Sequence, residues 1–176
     1  MRHSFTLCIL LLIFSSQVAG QHTSTYFFND TIDINDGIVL DAAGNLYGSD
    51  YVGGIVYKVT PTGTVSVFAN DFATANGLAL NSLGHLYVAD PQGNAVYIFD
   101  SAGNRLDTVA LNSASGLLKM HDSDTMLVTG WQSNTLGKLA PDGVITPIYS
   151  GTPLNAPVGL AYCSETDAYY VGNFNN

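Results

Sequence analysis

Apolar residues in this chain fall in short runs, and each run is closed by Gly, Asn, Asp or Pro. That pattern predicts brief strands joined by tight turns. Residues 36–50 read DGIVLDAAGNLYGSD, and residues 76–90 read NGLALNSLGHLYVAD. The likeness extends further, because Gly37, Gly77, Gly116 and Gly159 follow one another at intervals of 40, 39 and 43 residues. Each glycine opens an apolar run (GIVL, GLAL, GLLKM, GLAY), then a turn (DAAGN, NSLGH, HDSDT, SETDA), then a second strand (LYGSD, LYVAD, MLVTG, YYVGN). The first three units continue into a third strand (IVYKV, AVYIF, TLGKL) and a turn (TPTG, DSAG, APDG). They end on a fourth strand (TVSVFA, RLDTVAL, VITPIYS).

Four short strands in about 40 residues make one blade of a β-propeller. The expected fold is therefore all-β, built of four-stranded antiparallel blades at 36–75, 76–114 and 115–157, with a partial blade at 158–176. Val, Ile, Leu and Tyr dominate the strands, as half-buried sheets require, and helical spacing is absent over any useful length. A β-sandwich would not need the repeat. YFFND (26–30) stands ahead of Asp36 much as SVFAND stands ahead of Asn76. Residues 21–35 are therefore expected to supply a closing strand, borrowed so that no sheet edge stays open. The sequence stops two strands into the fourth unit. The expectation is about three and a half blades of a longer propeller, with assembly of two copies as the alternative.

The first twenty residues fall outside this scheme. Arg2 and His3, the run LCILLLIF and the small residues of VAG have the layout of a secretory signal peptide, 1–20, implying a secreted or periplasmic protein. No later apolar run is long enough to cross a bilayer. The whole chain carries a net charge of −9, and thirteen of its fourteen acidic residues are Asp, a turn former. Such a surface repels phosphate backbones and anionic lipid, so nucleic acid and membrane partners are not expected. Cations and neutral ligands suit it, either small molecules or proteins. Beyond the signal, Cys163 stands alone in GLAYCSE, where a buried, inert thiol is expected.

The unit NGLALNSLGHLYVADPQGNAVYIFDSAG resembles the NHL-type repeat and the related senescence-marker/gluconolactonase family of six-bladed propellers. The shared features are the Gly-apolar first strand, the G-N/H-L-Y-V-A-D second strand and the G-N-x-V third strand, and the resemblance runs over residues 26–176. It implies a six-bladed whole. It leaves the activity open, since one architecture hosts many functions.

In a blade, the start of the first strand and the end of the second lie on one face. Asp36, Asn76, Ser115 and Val158 are the residues before the four glycines, and they are expected at the mouth of the central channel. Asp50, Asp90, Gly130 and Asn173 end the second strands and flank the same face. Carboxylate and amide oxygens around a wet mouth suit a hard divalent cation such as Ca²⁺. The lactonase branch of the resembled family binds its metal with an Asn-Gly asparagine, a Asp-Gly aspartate and a glutamate. The resemblance thus implies Asn76 and Asp36 as metal ligands. This sequence reverses the order of those two blades, and its single glutamate, Glu165, falls in a turn.

Trp131 follows Gly130 in a loop on the mouth side and is a further candidate contact. His85 and His121 fall in turns. Tyr47, Tyr87 and Tyr170 recur at one place in the second strand, where packing between blades is expected. No nucleophile elbow, zinc-protease motif or phosphate loop occurs. Three functions remain open: a binding module with Asp50, Asp90, Ser115, Trp131 and Asn173 on its ligand face, a metal-dependent lactonase or esterase, and a structural repeat without a ligand.

Overall fold

The structure, a computed structural model, describes residues 32–175. The expected signal peptide (1–20) and the strand expected at 26–30 lie outside them. The first sheet holds β1 (Ile38–Leu40), β2 (Leu46–Asp50), β3 (Ile55–Val59) and β4 (Val65–Ala69). The second holds β5 (Leu78–Leu80), β6 (Leu86–Asp90), β7 (Ala95–Phe99) and β8 (Arg105–Ala110). The third holds β9 (Ala114–Lys119), β10 (Met126–Gly130), β11 (Thr135–Leu139) and β12 (Ile145–Ser150). A two-stranded sheet of β13 (Pro157–Cys163) and β14 (Ala168–Asn173) follows. Every pairing is antiparallel between consecutive strands. The first strand of each sheet adjoins the first strand of the next: β1 meets β5, β5 meets β9, and β9 meets β13. This is a partial propeller of three whole blades and two strands of a fourth.

The turns explain the aspartates. In the β1–β2 turn, Gly44 takes a φ of 81° and its amide donates to the Asp41 carbonyl at 3.0 Å. Asp41 Oδ1 accepts the amides of Ala43 and Asn45 at 3.0 and 2.8 Å. Asn81 holds the β5–β6 turn in the same way, through Leu83 and His85, and Asp100 holds the β7–β8 turn, through Ala102 and Asn104. Short acceptor side chains that bond backbone two residues on are the reason Asp and Asn populate such joints.

Alternation along the strands sends neighbouring side chains to opposite blade faces. On β6, Leu86 and Val88 join the cluster shared with the first blade, alongside Tyr47, Val56, Phe72 and Leu78. Tyr87 and Ala89 join the cluster shared with the third blade, alongside Leu117, Met126 and Val128. Each fully buried Leu, Val or Met side chain contributes about 1.5–3 kcal/mol. The linker residue Phe72 adds edge-to-face contacts with Tyr97 and Phe99, at centroid distances of 5.3 and 5.8 Å.

Two expectations are corrected in the last sheet. Tyr47 and Tyr87 pack between blades, but Tyr170 is exposed because no described residue covers its face of β14. Cys163 is half-buried at the end of β13, with its thiol 3.2 Å from Glu165 Oε2.

Candidate functional site

The glycines at the inner ends of the blades bring neighbouring sheets into contact. A β-carbon on Gly37 would stand 2.6 Å from the Asn76 carbonyl oxygen. One on Gly77 would collide with the Ser115 carbonyl, and one on Gly116 with that of Val158. In the first blade the Ser49 hydroxyl accepts the Gly37 amide at 2.7 Å and donates to the Asn76 carbonyl at 2.7 Å. A hydroxyl can do both at once. In the second blade that position is Ala89, and the Gly77 amide reaches the Ser115 carbonyl directly at 3.2 Å. In the third, Thr129 Oγ1 again accepts the glycine amide, from Gly116 at 2.8 Å. Backbone groups of the mouth residues are thus used in joining blades.

Their side chains are not. Asp36, Asn76 and Ser115 stand at the same repeat position, the first two just ahead of β1 and β5 and the third in β9, and none makes a side-chain hydrogen bond among the described residues. Asn76 and Ser115 are buried, whereas Asp36 is exposed by area. Even so, protein crowds Asp36 closely enough that desolvation pushes its carboxyl above the usual aspartate value. Val158, the fourth member, is half-buried and apolar.

The ends of the second strands are different. Asp90 is fully buried, and its Oδ1 accepts the Thr74 amide, the Thr74 hydroxyl and the Gly93 amide at 3.0, 3.0 and 2.7 Å. Its Oδ2 accepts the Ala73 amide at 2.8 Å. Asp50 accepts the Gly53 amide at 2.9 Å and the Asn35 side-chain amide at 3.0 Å. In the third blade Gly130 takes this place, and the Ser133 and Thr135 hydroxyls fill the space of the missing carboxylate. Asn173 Oδ1 accepts the Asn155 amide at 3.0 Å, and its Nδ2 donates to the Pro153 carbonyl at 2.9 Å. It borders a shallow depression of about 560 Å³ with Asn134, Thr152, Leu154 and Asn155. Trp131 is half-buried, and its amide donates to the Ser113 carbonyl at 2.9 Å.

A Ca²⁺ ion takes six to eight oxygens. Asp36 and Asn76 supply one carboxylate and one amide, and among the described residues no three His, Cys, Asp or Glu side chains converge on one point. This donor set does not by itself make a calcium cage.

Sequence reasoning passed over a second set of residues at the mouth-side turns. Gly54, Asn94 and Asn134 lie 40 residues apart and all take positive φ, at 61°, 53° and 50°. Asn94 Oδ1 accepts the Ser113 amide at 2.9 Å, and Asn134 Oδ1 accepts the Ala156 amide at 2.7 Å. Each asparagine ties its own turn to the entry of the next blade. The shared spacing of Asn94 and Asn134, at the head of the third strand, was the available signal.

Among solved structures, the chain is similar to virginiamycin B lyase from Staphylococcus aureus, with a TM-score of 0.71 and 18% identity over 88% of this chain and 54% of that one. A catalytically inactive form of that lyase with quinupristin matches with a TM-score of 0.69 at 14% identity, over 90% of this chain and 61% of the other. A gluconolactonase from Xanthomonas campestris matches at 0.67 and 24% identity, over 79% and 54%. At such identities the likeness shows the shared propeller fold. The chain spans between 54% and 61% of the length of these structures. No protein-family model and no curated protein matches the sequence.

Proposed function

We propose that this chain is the binding part of an exported propeller, taking a small molecule or a protein segment at the channel mouth through Asp36, Asn76 and Ser115. One observation carries the reading. These three polar side chains share one repeat position at the inner edge of adjacent blades and have no hydrogen-bond partner among the described residues. Asp50 and Asp90, at the ends of β2 and β6, are by contrast engaged with their own fold. Polar side chains that the fold does not engage are the ones a ligand docking at this edge can use. The acidic balance of the chain favours a neutral or cationic ligand.

The raised carboxyl of Asp36 favours a second reading, hydrolysis of a lactone or ester. There Asp36 takes a proton from water as the water oxygen bonds to the carbonyl carbon. The ring C–O bond then breaks, and the proton passes to the leaving oxygen.

Both readings are tested by calorimetric titration of the protein with neutral saccharides, lactones and Ca²⁺, alongside a pH-stat assay of lactone opening. Binding that weakens at least about tenfold in Asp36→Ala and Asn76→Ala, a loss of roughly 1.4 kcal/mol, supports the mouth as the site. Lactone opening lost in Asp36→Ala supports the hydrolase. Binding unaltered in both variants overturns the assignment. Sequencing the native protein's N-terminus tests export, with a start after Gly20 expected.

A further inference from the structure

The three linkers that carry the chain from one blade to the next close their junctions differently. The first, between β4 and β5, buries Phe72 at 8% exposure against Tyr97 and Phe99, and its Ala73 and Thr74 bond to the Asp90 carboxylate. The second, between β8 and β9, is only residues 111–113. The third, residues 151–156, lies in the interval of 43 residues from Gly116 to Gly159, where the earlier intervals are 40 and 39. It leaves a depression of about 560 Å³ at the junction of the third and fourth sheets, on the side of the β10–β11 turn. In the place of the Asp90 carboxylate stands the neutral Asn173, which holds this linker with an acceptor and a donor at once. Its Oδ1 accepts the Asn155 amide at 3.0 Å, and its Nδ2 donates to the Pro153 carbonyl at 2.9 Å. Although the chain carries a net charge of −9, no charged side chain among the described residues lines the depression.

The linker is anchored on its other side too. The Gly151 and Ala156 amides donate to the Asn134 carbonyl and to Asn134 Oδ1 at 2.9 and 2.7 Å, and the Tyr149 hydroxyl donates to the Thr152 carbonyl at 2.5 Å. A backbone fixed in advance removes part of the ordering cost of binding. The Thr152 hydroxyl, the Asn155 carboxamide and Asn134 Nδ2 make no hydrogen bond among the described residues, and Thr152 and Asn155 are exposed at the rim.

We infer that this depression binds a neutral saccharide. A carboxamide offers a donor and an acceptor side by side, a pairing that neighbouring sugar hydroxyls meet. Pro153 and Leu154 in the same lining offer apolar surface to the C–H face of a ring. The volume lies within the range of small-molecule sites. An extended peptide is the poorer fit, because it is held through open backbone donors and acceptors. Here the Gly151, Asn155 and Ala156 amides and the Thr152 and Pro153 carbonyls are already bonded. The site uses none of Asp36, Asn76 and Ser115, so it stands or falls independently of the mouth.

A printed array of neutral mono- and oligosaccharides probed with the purified protein tests the inference, and the strongest-bound sugar is then titrated calorimetrically. Asn155→Asp and Thr152→Ala are compared with the wild type. The fold engages neither side chain, so unchanged unfolding midpoints are expected in both. The wild type binds at least one neutral sugar, and each variant raises its Kd at least about tenfold. An array on which no neutral sugar is bound overturns the inference, as does a sugar whose affinity is indifferent to both variants. A sugar lost in Asp36→Ala and retained in Asn155→Asp sits at the channel mouth, which supports the mouth site and overturns this one. A sugar lost in Asn155→Asp and retained in Asp36→Ala supports the depression as its place.

Discussion

The Gly77 amide donates to the Ser115 carbonyl across a blade boundary at 3.2 Å, and a β-carbon on Gly77 would collide with that same carbonyl. The hydrogen bond and the missing side chain are one device. They let the inner ends of two sheets touch through backbone alone and so set the spacing of the blades at the axis. Gly77→Ala pushes a methyl group against an oxygen held by β9, which cannot swing aside as a side chain would. The expected loss is about 3 kcal/mol, at the upper end of ordinary overpacking. It is read as a lowered urea midpoint with an unchanged m-value.

Asp90 should matter more to stability than any other carboxylate of the described residues. It is fully buried and accepts four hydrogen bonds, from Ala73, Gly93 and twice from Thr74. Asp90→Ala leaves these donors buried without an acceptor, at a cost of about 3–5 kcal/mol. Asp50→Ala removes two side-chain acceptances, from Gly53 and Asn35, and should cost less. Thermal unfolding of both variants gives the order. Equal losses would mean that Thr74 and Ala73 find other partners.

The period and the strands were legible because they rest on local patterns. LYGSD, IVYKV, LYVAD, AVYIF, MLVTG and TLGKL are β2, β3, β6, β7, β10 and β11 residue for residue. The glycine before each inner strand was legible as a position but not as a contact, since its partner oxygen lies about one full repeat further along the chain. The spacing from Asp50 to Gly53, and from Asp90 to Gly93, carries an aspartate-to-amide turn bond that sequence alone can suggest. The donors from Asn35 and Thr74 are set only by how a linker passes between blades. Cys163 and Tyr170 lie in strands whose pattern promises burial. Covering them takes a neighbouring blade, which the described residues do not supply on that face, and a strand's own sequence does not encode its neighbour.

Asn94 serves two purposes that separate on substitution. Its φ of 53° favours Gly or Asn, and its Oδ1 accepts the Ser113 amide at 2.9 Å. Asn94→Gly keeps the backbone and loses the bond, so about 1 kcal/mol is expected. Asn94→Ala loses the bond and adds the strain of a left-handed residue, for about 2–3 kcal/mol together. Matching losses in chemical denaturation would show that only the hydrogen bond counts. The same comparison at Asn134, which accepts the Ala156 amide at 2.7 Å, should repeat the order.

On the face away from the mouth, Asp124 links the turns of two blades and makes stability depend on pH. Its carboxylate accepts the Ser82 amide at 2.8 Å and the Ser82 hydroxyl, and Lys119 Nζ lies 3.8 Å away. The Ser82 side-chain bond first, then the Ser82 amide, hold this carboxyl below the usual aspartate value, against a small opposing effect of desolvation. Asp100 is lowered likewise by the Asn104 side chain and its turn amides. A carboxyl depressed on folding binds fewer protons in the native state than in the unfolded one. Its contribution is therefore present above the ordinary aspartate range and is lost as pH falls through the lowered value. Asp124→Asn should be less stable than the wild type at neutral pH, and the two should converge as the solution is acidified below that range. Unfolding midpoints measured across that range decide the point. A gap between the two proteins that stays constant with pH would assign the effect to geometry rather than to charge.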